Sequence, residues 1–149
     1  MYPNPRVVDF ITKHLIPVRV HVRENAADFK RLGDRFNAHW TPTTLLIDRS
    51  GTERHRIEGF LPVDDYLSQL ALGLAKAAFA REDYPAAEHL YRDVVEHFPN
   101  TDAAPEGQYW AGVSKYRLTN DPSALKATSQ AFHERYQDST WAKKASVWA

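Results

Sequence analysis

His89, Asp93 and His97 recur at i, i+4 and i+8, which lines two imidazoles and a carboxylate along one helix face. Those are zinc-ligand types, although liganding pairs usually stand one turn apart and draw a third ligand from elsewhere. A solvated polar stripe explains the same spacing and is the stronger reading, since histidine is a common surface residue. No metal site is assigned. His21 and His55 fall on strand-like segments beside Arg19, Arg54 and Arg56; that set suits an anion, and it suits the wet side of a sheet better. No Ser-His-Asp order, glycine-rich phosphate loop or paired-carboxylate spacing rises above chance. The chain contains no cysteine, which excludes thiolate chemistry, disulfides and cysteine metal sites for these 149 residues. No catalytic residue and no cofactor are assigned.

Aromatic side chains are the remaining chemistry. They crowd the C-terminal half, from Tyr84 to Trp148, where most serve to pack helix against helix. Tyr109, Trp110 and Trp148 are the candidates for a binding surface, with Tyr109 and Trp148 the foremost, because aromatic anchors dominate the energetics of peptide recognition.

Composition narrows the function classes. Lys plus Arg and Asp plus Glu each number 19, so the formal net charge is zero. Up to Ser68 there are ten basic and nine acidic residues, which leaves nine and ten beyond it. Neither part has the basic excess that non-specific nucleic-acid binding requires. No apolar run approaches the ~20 residues needed to span a bilayer, and MYPNPRVV lacks the charged and apolar regions of a signal peptide.

The elements that must position these residues follow from periodicity. Asn4 or Pro5 starts a helix reaching about His14, with Val7, Val8, Phe10, Ile11 and Leu15 on its apolar side. In IPVRVHV, Ile16, Val18, Val20 and Val22 alternate with Pro17, Arg19 and His21, the period of a β-strand. Asn25 is the expected N-cap of a helix from Ala26 to about Asn37, with Phe29, Leu32 and Phe36 inward. TTLLID reads as a strand, DRSG as a turn and TERHRIEG as the antiparallel partner. From Val63 or Asp64 onward all spacing is helical, with breaks at 82–83, 98–105, 120–122 and 138–140. A shift of 38 residues superposes Asp83 on Asp121, Glu96 on Glu134, Phe98 on Tyr136 and Asn100-Thr101 on Asp138-Ser139. Such a repeat implies stacked helical hairpins, at least four helices in two hairpins plus a terminal one.

Two resemblances attach to these patterns. YPNPRVVDFITKHLIPVRVHVREN, with HWTPTTLLID and Gly59, resembles the thioredoxin superfamily from the middle of its first active-site helix onward. The resemblance implies an incomplete thioredoxin-like α/β/α sandwich over residues 1–68, lacking its first strand and redox motif. It also implies that Thr41-Pro42 is the family's cis-proline and that Trp40, Thr41 and Pro42 are partner-binding residues. The stretches AREDYPAAEHLYRDVVEHFPNT and APEGQYWAGVSKYRLTNDPSALKATSQAFHERYQDSTWAKKA are similar to tetratricopeptide-repeat proteins (TPR), notably bacterial ones of the Tol–Pal coordinator and outer-membrane-assembly type. There Tyr109-Trp110-Ala111-Gly112 takes the place of the family's opening motif, and WAKKASVWA is similar to the first helix of a third, unfinished unit or to a capping helix. Residues 69–149 are thus expected to be an all-α, TPR-like repeat region.

Together these give a redox-inactive thioredoxin-like and TPR-like protein, non-catalytic, that binds a protein or peptide in a bacterial cytoplasm or periplasm. The alternative is the body of a thiol-disulfide oxidoreductase whose Cys-x-x-C motif lies upstream of Met1; a purely structural module is the third reading. In the family the absent strand lies between the strands matching Ile16–Val22 and Thr43–Asp48. Unpaired buried edges cost ~1–3 kcal/mol per group, so the gap is expected to be filled by a second copy, by upstream residues, or by direct pairing of the two strands.

Overall fold

The computed structural model describes residues Asn4–Ala149; Tyr2 and Pro3, which open the thioredoxin resemblance, lie outside the described residues. The chain divides into two compact units, Met1–Leu67 and Ser68–Ala149.

The first unit runs α1 (Pro5–His14), α2 (Ala26–Phe36), β1 (Thr43–Ile47) and β2 (Glu53–Glu58). Pro5 pre-sets the first turn of α1, and the Asn4 side chain accepts the Arg6 N–H at 3.0 Å. Asn25 does stand at the N-cap of α2, but its side chain caps nothing there. Its Oδ1 accepts the His21 N–H at 2.9 Å, while His21 Nδ1 accepts the N–H groups of Arg23 and Glu24. This knot of local bonds holds the turn that enters the helix. β1 and β2 pair antiparallel, Thr43 opposite Glu58 and Leu46 opposite His55, with an irregularity after Leu46. Their turn is organised by Asp48, whose Oδ1 accepts from Ser50 N, Ser50 Oγ and Thr52 N, while Oδ2 accepts from Arg54 Nε at 2.6 Å. Gly51 sits at φ +81, in the left-handed region that favours glycine.

The expected strand over Ile16–Val22 is absent. No regular secondary structure forms from Leu15 to His21, and Ile16 and Val18 are 94% and 82% exposed. Among the described residues, β1 pairs with β2 and not with this segment. The alternation of the sequence is real, but a strand exists only where a neighbour takes its N–H and C=O groups, and none does so here.

Helix α3 (Val63–Ala80) runs from the first unit into the second. The second unit continues with α4 (Tyr84–His97), α5 (Ala103–Thr119), α6 (Ser123–Glu134), α7 (Thr140–Ala145) and a final 3₁₀ turn, Ser146–Trp148. Its breaks fall near the expected positions, except that α5 already begins at Ala103, with Pro105 in its first turn, where a missing N–H is harmless. The 38-residue shift is visible in the backbone. Glu82 and Asn120 both take positive φ, +62 and +55. Asp83 accepts from Ala86 N, and Asp121 from Ser123 N. Thr101 Oγ1 donates to Phe98 O at 2.8 Å, and Ser139 Oγ to Tyr136 O at 2.7 Å. The expected third unit is short: α7 spans six residues before the 3₁₀ turn.

Leu72, Ala75, Ala78, Ala87, Tyr91, Val94, Ala103 and Ala111 form the buried core of this unit. Its small residues let helices approach closely: a Cβ on Gly107 would lie 3.0 Å from Tyr91 O, and one on Gly112 would collide with Thr128. A fully buried leucine such as Leu72 contributes roughly 1.5–3 kcal/mol over an exposed one.

Candidate functional site

In the first unit, the candidate residues Trp40, Thr41 and Pro42 precede β1. The Thr41–Pro42 peptide is cis. Thr43 Oγ1 donates to Trp40 O at 2.7 Å, and Gly59 N, just past β2, donates to Pro42 O at 2.8 Å. Gly59 has φ +84, so both ends of the hairpin hold the proline loop. Trp40 is left 71% exposed and Phe60, next to Gly59, 78% exposed. Both rings stand largely open to solvent.

The arginines nearby are committed. Arg56 donates to Glu53 and Glu58 on its own strand, and also to Asn37 O and Phe36 O at the C-terminus of α2. Those carboxylates hold its guanidinium more firmly protonated than usual. Arg54 is bound to Asp48. The Ser50 hydroxyl and then Arg54 keep the Asp48 carboxyl well below the usual carboxylate range. The cations that could have bound an anion beside His55 thus balance acids of the hairpin.

In the second unit, the structure brings Tyr109, Trp110 and Trp148 together. Tyr109 stacks on Trp148 with centroids 4.8 Å apart and planes 24° apart, and meets Trp110 edge-on at 5.3 Å. Three rings not singled out from the sequence extend the set. Trp141 lies 5.2 Å from Tyr109, Phe79 lies 5.2 Å from Trp110, and Tyr84 lies 5.3 Å from Phe79. Lys144 Nζ sits 4.1 Å over Trp141, and Arg117 sits over Tyr84. All six rings are half-buried, and partial burial raises the Tyr109 pKa. Trp110 also packs on the core, so it is support as much as surface. Only helical spacing and tertiary closeness join Phe79, Tyr84 and Trp141 to the others; no local motif marks them.

On another stripe of α5, Gln108, Ala111, Gly112 and Lys115 (i, i+3, i+4, i+7) line a cleft of about 220 Å³ with residues of α4 and α6, among them Arg92 and Thr128. The Gln108 Nε2 is buried without a hydrogen-bond partner among the described residues. His89, Asp93 and His97 do not converge: His89 Nε2 lies 3.3 Å from the Asp93 carboxylate, while His97 Nδ1 meets Asp93 O at 3.0 Å. Among the described residues no cluster of three or more metal-ligating side chains forms, and no helix is long and apolar enough to cross a membrane.

The first unit can be compared with a known family. The family model of a thioredoxin-like domain matches residues 1–73. This part of the chain is a thioredoxin-like domain by that match. No curated protein and no solved structure matches the chain. Within the matched residues the Thr41–Pro42 peptide is cis, and the chain has no cysteine.

Proposed function

We propose that the chain is a non-catalytic protein that binds a protein or peptide, with TPR-like helical hairpins as its principal binding surface. The observation that carries this reading is the ring cluster, in which Tyr109, Trp110 and Trp148 share half-buried contacts in one place. Half-buried rings are anchored yet retain a face for a ligand, and aromatic anchors are where interface energy concentrates. The Lys144 and Arg117 cations at its rim favour peptides carrying an acidic side chain. Trp40, Thr41 and Pro42 offer a second, smaller contact surface on the thioredoxin-like domain. Disulfide exchange is not part of the function of these residues, because a thiolate is the nucleophile and the chain has none.

The test is selection of peptides from a random displayed library against the whole chain, followed by tryptophan-fluorescence titration. Trp148→Ala and Tyr109→Ala should each weaken the selected peptides at least about tenfold, the usual mark of an anchor. Selected peptides that bind both variants as well as the parent protein would remove the aromatic surface from the function.

A further inference from the structure

The polar edges of the ring cluster discriminate among peptides as its faces cannot. Trp110, Trp141 and Trp148 carry indole N–H groups, and Tyr109 carries a phenol. None of these four groups makes a hydrogen bond among the described residues, and none is a buried polar atom left without a partner. Each therefore reaches the surface unengaged. An indole donates and cannot accept. The same holds for the Lys144 ammonium, 4.1 Å over the Trp141 ring and without a carboxylate partner among the described residues. Arg117, over Tyr84, is also a donor only, and it lies 3.9 Å from the Glu82 carboxylate. Apart from the phenols, the surface consists of flat rings and donors.

A ligand suited to such a surface offers acceptors and brings few donors of its own. An ordinary peptide carries an N–H on every residue, and each one pressed against the rings without an acceptor is desolvated at a loss. A helical ligand has already spent its carbonyls on its own i−4 bonds. An added β-strand needs an open sheet edge, and the elements of the second unit are all helices. Proline has no N–H, and in polyproline II the backbone carbonyls remain unbonded and solvated. Its ring is also an apolar plate that aromatic-lined grooves hold well. Building on the peptide-binding reading, we infer that the surface of Tyr109, Trp110, Trp141 and Trp148 takes a proline-rich segment in the polyproline II form. An acidic residue beside the prolines meets Lys144, whereas Arg117 already has Glu82 nearby.

The probe is an acetylated, amidated peptide of about eight prolines, ~25 Å long in polyproline II, ending in glutamates. Its control has alanine and glycine alternating in place of the prolines. In the full chain the indole N–H signals in NMR report the four tryptophans separately, assigned by single Trp→Phe variants. The proline peptide should shift the signals of Trp110, Trp141 and Trp148 and leave that of Trp40, on the thioredoxin-like domain, unmoved. It should bind at least about tenfold more tightly than the alanine-glycine control. Trp148→Phe keeps a ring and deletes one donor, so it should weaken the proline peptide about two- to tenfold; circular dichroism verifies that the variant folds. Lys144→Gln should remove the advantage of terminal glutamates over terminal glutamines. Equal binding of the two peptides, with the three indole signals moving for both, would overturn the proline inference and leave the peptide-binding surface standing. If the three signals stay still even for peptides selected from the displayed library, the surface itself falls, and this inference with it. Movement confined to Trp40 would overturn it as well, by placing the ligand on the other unit.

Discussion

Single side chains decide how closely the helices pack and how the hairpin responds to acid. At Gly112 an added Cβ would lie 1.9 Å from Thr128 Oγ1 and 2.8 Å from Thr128 Cβ. Rotating the threonine moves its oxygen but not its Cβ, so the clash persists unless α6 shifts. Alanine gains about 1 kcal/mol of helix propensity over glycine, and overpacking costs roughly 1–3 kcal/mol. Gly112→Ala should therefore lower stability in urea by about 1 kcal/mol or more; a higher midpoint would show that α5 and α6 separate at little cost. Asp48 gives the second prediction. Its folded pKa is depressed by Ser50 and Arg54, so its contribution is complete above the unfolded value of about 3.9 and is lost as pH falls below it toward the folded value. Asp34 and Asp121 are depressed as well, chiefly by Lys30 and Ser123. Thermal melts of the parent protein should decline between about pH 5 and pH 2, and Asp48→Asn should flatten that decline without abolishing it. Parallel pH profiles for parent and variant would mean the Asp48 bonds persist equally in the unfolded chain.

Elements were legible where their signals are local and illegible where they depend on distant partners. The 38-residue repeat could be read because caps and turn residues act within a few positions: Asp83 and Asp121 recur at the helix starts, Thr101 and Ser139 in the turns after α4 and α6. Ile16–Val22 misled for the opposite reason, since alternation reports which residues suit a strand and not whether another strand is beside them. Likewise, Trp141 reaches Tyr109 only through the packing of α5 and α7. The repeat also contains one asymmetry that can be tested. Tyr136 Oη donates to Pro99 O at 2.6 Å, tying the end of one hairpin to the end of the one before, while the equivalent Phe98 has no hydroxyl. Tyr136→Phe keeps the ring and deletes only this bond, so it should cost about 0.5–1.5 kcal/mol, read as a lower urea midpoint for the helical signal. No change in midpoint would mean that water replaces the hydroxyl at Pro99.

At the scale of the whole molecule, the core is unevenly shared. Among the described residues, the buried hydrophobics of the first unit are Val7, Leu46, Ile57, Tyr66 and Leu67, while the second holds Leu70, Leu72, Tyr91, Val94, Phe132 and eight alanines. The large exposed hydrophobics are skewed the other way: Ile16, Val18, Val22, Trp40, Ile47 and Phe60 in the first unit, against Leu118 and Val147 in the second. A two-stranded sheet is marginal without further strands or a helix to cover it, whereas helical hairpins bury a core by stacking on their neighbours. Stability should accordingly be distributed as the core is. Hydrogen exchange should show the amides of β1 and β2 opening at lower free energy than those of α4 and α5, which carry Tyr91, Val94 and Ala111. A fragment beginning at Val63, the start of α3, should keep a cooperative helical melt, because all eight residues of the main core cluster lie within it. If that fragment melts without cooperativity, or if the β1–β2 amides are as protected as those of α4, then the first unit supplies stability that its own buried residues do not account for.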